Sequence, residues 1–274
     1  MSPTQIPSAS PLLGKRDFLW LHLRELPYFR ALLRAVEARF YQDLHLPRPV
    51  LDIGCGDGHF ASVTFAEPLD VGLDPDPGVL PLARNYGGYR WVLRGYGNAL
   101  PFGSASFASA VSNSVLEHIP DVDGVLQEVA RVLRPGAPFI FCVPNHRFTR
   151  SLSVARFLDR LGWHGLAEAY RRFFNRISRH YHCDDVPRWD ERLRAAGFAL
   201  ERYWHYFSPE ALACLEWGHY FGLPAWVARK LTGRWILAPT TWNLSLTRRV
   251  VQPYYDQRAI CDDGVYTFYV ARRV

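Results

Sequence analysis

The sequence predicts an α/β protein with a doubly wound sheet, and three observations carry that reading. Residues 50–58 run from an apolar strand, Val50, Leu51 and Ile53 with Asp52 inside it, into a turn with glycine at 54, 56 and 58. A second strand, Asp70 to Leu73, ends in Asp74, twenty residues past Gly54. Strand-like and helix-like segments then alternate five times across residues 49–144. Glycines in the first turn permit positive φ and let a ligand lie against bare backbone. An acidic residue at that distance can reach a ribose diol. Together these features predict a nucleoside-type cofactor at the carboxyl edge of the sheet.

A dinucleotide site requires G-x-G-x-x-G, so that a diphosphate rests on the helix N-terminus. Counting from Gly54, the third glycine would fall at position 59, which is His59. This sets a nicotinamide dehydrogenase aside. The third strand is expected over Tyr89–Leu93, the fourth over Ala108–Ser112 and the fifth over Phe139–Val143. Between them stand Asn98-Ala99-Leu100-Pro101-Phe102, then Leu116-Glu117-His118, then Glu128-Val129-Ala130-Arg131-Val132-Leu133-Arg134-Pro135-Gly136.

This order, from acidic strand and G-x-G-x-G onward, resembles the class I S-adenosylmethionine (SAM) methyltransferases, and in particular the methyltransferase type 11 family. The resemblance runs over about 100 residues. It implies a Rossmann-like seven-stranded sheet whose last strand is antiparallel, with SAM as cofactor. It also implies cofactor contacts at Asp52, Gly54, Cys55, Gly56, Gly58, Asp74, Pro75, Gly97, Asn98, Ala99, Asn113 and Ser114. The chain departs from the family at three places. Tyr96 stands where the family has an acidic residue facing the adenine amino group, leaving Gly97 and Asn98 to hold that edge. Ala108 replaces an Asp before strand four, and Ala137 replaces the second Gly of Pro-Gly-Gly.

Beyond the cofactor half, residues 16–46 have helical spacing with a break near Pro27; in the family such a segment often covers the cofactor. A helix is expected over Val186–Ala196, stopped by Gly197, followed by a strand over Phe198–Tyr203. Residues 208–231 read as helix, and 233–262 as irregular and aromatic-bearing. Val265–Ala271 alternates as a last, antiparallel strand. Residues 1–14, rich in Ser and Pro, read as a disordered tail without signal-peptide character. Residues 15–274 read as one domain, with 145–183 and 204–262 as helical, substrate-binding cap insertions.

At 274 residues, 49% of them hydrophobic, the chain can bury a substantial core. No apolar run reaches 18 residues, which argues against a membrane-spanning helix. Five scattered cysteines without a secretion signal fit reduced thiols and a cytoplasmic setting. Charge is uneven. Residues 1–48 carry 7 basic and 4 acidic residues (+3), 49–144 carry 5 and 10 (−5), and 145–274 carry 20 and 12 (+8). The basic excess suits an anionic substrate, an anionic membrane or nucleic acid; it also suits a solvated arginine-rich face. Leu152, Ala155, Leu158 and Leu161 share one helical face. Tyr170, Phe173, Phe174 and Ile177 share another, beside Arg171, Arg172, Arg176 and Arg179. Such helices pack on their own domain or lie peripherally on an anionic membrane.

Methyl transfer to a hydroxyl or enol carbon needs a base. The candidate catalytic residues are His118 in the Leu-Glu-His motif, His146 just past strand five, and His182 in the His180-Tyr181-His182-Cys183 cluster. That cluster lacks the spaced ligand pairs of a structural zinc site, so no metal is expected. The expected acceptor is a small molecule, hydrophobic or aromatic: a lipid, a quinone-like compound or another natural product. Two alternatives stay open, an RNA methyltransferase and a non-catalytic SAM-binding protein. Methylation of base amino groups is disfavoured, because Asn113-Ser114-Val115 stands where an Asn/Asp-Pro-Pro-Tyr motif would be.

Overall fold

The computed structural model describes residues 16–274; the expected tail over 1–14 lies outside the described residues. Helices α1 (Phe18–Leu23) and α2 (Tyr28–Phe40) flank Pro27, the break the sequence predicts. Then follow β1 (Val50–Ile53), α3 (His59–Thr64), β2 (Leu69–Asp74), α4 (Leu80–Tyr86), β3 (Tyr89–Arg94), β4 (Ser109–Asn113), α5 (Val122–Val132) and β5 (Pro138–Pro144). The first excursion contains α6 (Ser153–Arg160) and α7 (His164–Ser178). After it come α8 (Val186–Ala195), β6 (Phe198–Tyr206), α9 (Pro209–Phe221), α10 (Leu223–Thr232), α11 (Thr241–Asp256) and β7 (Tyr266–Arg273).

The seven strands form one sheet in the order β3-β2-β1-β4-β5-β7-β6. β3, β2, β1, β4 and β5 run parallel. β7 enters antiparallel between β5 and β6, pairing Phe141 with Tyr269 on one side and Tyr206 with Tyr266 on the other. The order reverses between β1 and β4, and ligands of open α/β sheets bind beyond the carboxyl ends at such a point. β1 and β5 are buried along their whole length, as parallel strands covered on both faces must be. On one face, Phe139, Phe141, Trp189, Phe198 and Tyr269 pack with the apolar side of α5.

The described residues gather into two compact units. One takes the residues up to His45 together with Glu210–Ala259; the other takes Leu46–Pro209 with Ile260–Val274. The second unit holds the whole sheet. In the first, α9 crosses α2 closely: a Cβ at Gly218 would lie 2.3 Å from Phe29 Cβ.

Four elements differ from the sequence expectation. No helix joins β3 to β4, because residues 95–103 carry three glycines and Pro101, which favour turns. The strand expected to end at Tyr203 continues to Tyr206, where Trp204, His205 and Tyr206 pair with Phe268, Thr267 and Tyr266; residues 204–206 therefore belong to the sheet and not to an insertion. The helix expected over 208–231 breaks at Gly222, which caps α10 ahead of a proline in its first turn. Within 233–262 lies a 16-residue helix, α11, capped by the Thr240 side chain on Asn243 N–H; Pro239 and Pro253 mask its periodicity in the sequence.

Candidate active site

The cofactor end is built on backbone. Gly54, Gly56 and Gly58 adopt φ of +78°, +53° and +79°, values costly for residues with a Cβ. They differ in what surrounds them. A Cβ at Gly58 would meet Ala83 Cα at 2.8 Å, and one at Gly54 would meet Val115 Cγ1 at 2.3 Å. A Cβ at Gly56 would meet nothing within 4 Å, so the middle of the turn is bare and open. Asp74 closes this end. Its carboxylate accepts from Gly56 N–H and Asp76 N–H, each at 2.9 Å. A carboxylate so fixed beside an open glycine fits a ribose diol.

Tyr89, a residue the sequence did not single out, sits behind Asp52. Its hydroxyl donates to Asp52 Oδ2 at 2.5 Å, inside the sheet. Burial, then the Asp52 charge, raises the Tyr89 phenol well above its ordinary range, so it stays a donor. Its signal in sequence is faint: a tyrosine opening the strand that neighbours β2. Cys55 is buried, and burial followed by Asp52 raises its thiol pKa; it lines the turn as an unreactive thiol.

The Asn98–Phe102 strap crosses from β3 toward β4. Glu128 accepts from Leu100 N–H at 2.8 Å, and Arg131 donates to the carbonyls of Leu100 and Phe102 at 3.0 and 2.7 Å. The two charged residues of the Glu-Val-Ala-Arg segment therefore hold the Leu-Pro-Phe segment in place, a physical link between motifs 26 positions apart in sequence. Asn98 donates its amide to Asp121 at 2.9 Å, and that bond, ahead of the one from Gly124, lowers the Asp121 pKa. The Asn98 side chain is thus tied to the cap of α5. Tyr96 is 60% exposed. Pro75 accepts from Arg94 at 3.2 Å.

At the β4–β5 end, Asn113 Oδ1 accepts from the Cys142 thiol at 3.2 Å. Ser114 takes a left-handed φ of +51° and turns the chain into a 3-10 turn, Leu116–His118. His118 Nδ1 lies 3.1 Å from the carbonyl oxygen of Arg179. His146 lies two residues past the end of β5. Burial first, then the positive charge of Arg147, lowers its pKa, so it is neutral at pH 7. Its Nδ1 is buried without a hydrogen-bond partner among the described residues. Next to it Asn145 is rigidly held, donating to Gly264 O and Thr267 Oγ1. His182 differs from both. Arg192 can only donate, so His182 Nδ1 accepts from it at 3.4 Å, and Nε2–H donates to Ile119 O at 3.1 Å. Both ring nitrogens are engaged, and His182 ties α8 to the loop after β4.

Residues 51–141 match the model of a methyltransferase domain family. A probable S-adenosylmethionine-dependent methyltransferase of Mycolicibacterium smegmatis is 32% identical over 150 residues, covering 51% of this chain and 54% of that one. An uncharacterized methyltransferase of Mycobacterium sp. (strain JLS) is 39% identical over 93 residues, 32% of this chain and 36% of its own. The chain thus spans about half or less of these curated relatives. Among solved structures, a SAM-dependent methyltransferase of Thermotoga maritima superposes with a TM-score of 0.51 at 16% identity, over 93% of this chain and 92% of its own. One from Mesorhizobium loti gives 0.52 at 18% identity, over 88% and 98%. At these identities the likeness is one of fold.

Proposed function

We propose, from the premise that residues 51–141 are a class I SAM-dependent methyltransferase domain, that the whole chain transfers the methyl group of SAM to a small hydrophobic or aromatic acceptor. The observation that carries the reading is Asp74, held by two backbone N–H groups beside the open Gly56 turn. Bound SAM supplies an activated sulfonium methyl, and the protein's main task is alignment of the two reactants, worth about 7–11 kcal/mol. The glycine turn and Asp74 hold one side; the elements after β4 and β5, with α6 and α7, supply the acceptor side. Where the acceptor carries a proton to be lost, His146 takes it. Its lowered pKa keeps the ring neutral, and its buried Nδ1 has no other partner among the described residues.

The test is thermal unfolding with SAM and with S-adenosylhomocysteine. At about 100 times the dissociation constant each ligand adds roughly 2.7 kcal/mol, which lifts the midpoint by roughly 5–10 °C. Asp74→Ala should abolish most of that rise, and an undiminished rise would remove Asp74 from the site. A rise with both ligands but no turnover across hydrophobic and aromatic acceptors would favour a non-catalytic SAM-binding role.

Peripheral association with an anionic membrane is the second part of the proposal. Leu166, Phe173 and Ile177 expose one stripe of α7, flanked by Arg172 and Arg176. In the other unit, residues 223–250 hold five basic residues and no acidic one, while Leu231 and Trp242 are 80% and 84% exposed. Aromatic and leucine side chains among cations suit a lipid interface. No described helix is long and apolar enough to cross a membrane. Co-sedimentation with phosphatidylserine-containing vesicles, lost at high salt, is expected; no pelleting would end this part of the proposal.

A further inference from the structure

Beyond the cofactor end, Glu117, His118 and His180 converge, and each offers a ligand atom within 4.8 Å of the others. Two left-handed joints bring them together. Ser114, at φ +51°, starts the turn that carries Glu117 and His118; Arg179, at φ +56°, ends α7 and presents His180. Non-glycine residues held in this region mark places where the surrounding structure dictates the backbone. The two segments are also bonded to each other. Tyr181 N–H donates to Glu117 O at 2.7 Å, and His182 holds Ile119 O from the same segment.

The histidine orientation is chemically specific. The Arg179 carbonyl can only accept, so His118 Nδ1 carries the hydrogen of their 3.1 Å contact. In the neutral ring the lone pair is then on Nε2, 3.8 Å from Glu117 Oε1. Metal-ligating histidines are oriented in this way, one nitrogen tied to a carbonyl and the other turned to the ion. The Glu117 carboxylate is only 2% exposed, so an ion held there would sit largely away from bulk water. His180 stacks obliquely beside His118, ring centroids 5.3 Å apart.

We propose that Glu117, His118 and His180 form a binding site for one divalent first-row metal ion, with zinc the expected occupant. Two imidazoles and one carboxylate match zinc and its neighbours; magnesium and calcium require oxygen ligands. Bonds of about 2.0–2.1 Å at tetrahedral angles put donor atoms about 3.4 Å apart, so modest ring rotations bring the three atoms from their present spread onto one ion. His118 is partly exposed, which leaves a coordination position open to water or to an oxygen-bearing ligand. Cys183 Sγ lies 3.7 Å from His180 Nδ1 but is not one of the three converging donor atoms, so the proposed ligand set excludes it.

The full chain, stripped with chelator and dialysed against buffered Zn²⁺, should retain one equivalent of zinc by elemental analysis. His180→Ala and Glu117→Gln should each weaken that binding at least about tenfold. Circular dichroism of each variant checks that it folds, and His180→Asn serves if the alanine variant does not. With Co²⁺ in place of zinc, visible d–d bands without a thiolate charge-transfer band are expected. The proposal is overturned by substoichiometric retention, by undiminished binding in the folded His180 variant, or by a thiolate band that brings Cys183 into the set. Binding is read directly, so the outcome is independent of methyl transfer.

Discussion

The two ends of the candidate site are made in different ways. At the β1–β2 end, the groups proposed to face the cofactor are a glycine turn and one carboxylate fixed by backbone N–H groups, all within residues 52–76. At the β4–β5 end they are side chains, and the residues that orient them come from far along the chain: Arg179 for His118, Thr267 and Gly264 for Asn145 beside His146. On the proposed reading, a short-range backbone device holds a cofactor that many chains share. A long-range side-chain device allows the acceptor to differ from chain to chain, because loops and excursions vary while the sheet beneath them stays fixed.

The largest effect that would sharpen this contrast is His146→Gln. Turnover should fall by about 10²–10⁴, while SAM affinity stays within about twofold. Burial lowers the His146 pKa, so the base is fully active above its ordinary range near 6.5 and is lost only as pH falls below it. The acid limb of the pH–rate profile should therefore lie below pH 6.5 and vanish in the variant. Unchanged turnover would remove His146 as the base.

Gly58→Val acts at the other end. The φ of +79° and the 2.8 Å approach to Ala83 Cα leave no room for a branched residue. Backbone strain and overpacking should together cost about 3 kcal/mol, lowering the unfolding midpoint by roughly 6–12 °C. A variant as stable as the parent would show that the turn tolerates a different backbone. Tyr89→Phe is the mildest of the three. It leaves the buried Asp52 oxygen without its 2.5 Å donor, a loss of about 1–3 kcal/mol. The expected outcome is weaker SAM binding by calorimetry, with turnover at saturating SAM retained. Equal affinity would confine Tyr89 to the core.

Much of the fold was legible because local chemistry dictates it. Val50–Ile53 had to be a buried strand, and the alternation of Val265–Ala271 gave an antiparallel last strand, seen in the pairing of β7 with β5 and β6. The glycine turn and Asp74 were legible as positions, since spacing alone sets them side by side. Tyr89 was not, because nothing in the sequence tells which strand residue points at Asp52. The Glu128–Arg131 grip on Leu100 and Phe102 was visible only as two recurring motifs. Helix α11 was missed because Pro253 interrupts its pattern and Pro239 precedes it, although the Thr240 cap and the packing of Leu244 and Val251 outweigh them.

The sequence by itself determined the sheet, the cofactor turn and the charge division between halves, because period, glycine and acidic spacing act over a few residues. Only the tertiary structure decided which histidines are engaged. His182 is held at both nitrogens, His146 keeps a buried one, and His118 meets His180 across 62 positions of chain. Those outcomes depend on which distant carbonyl or guanidinium arrives beside each ring, and hydrogen bonds of that kind form only when the fold closes.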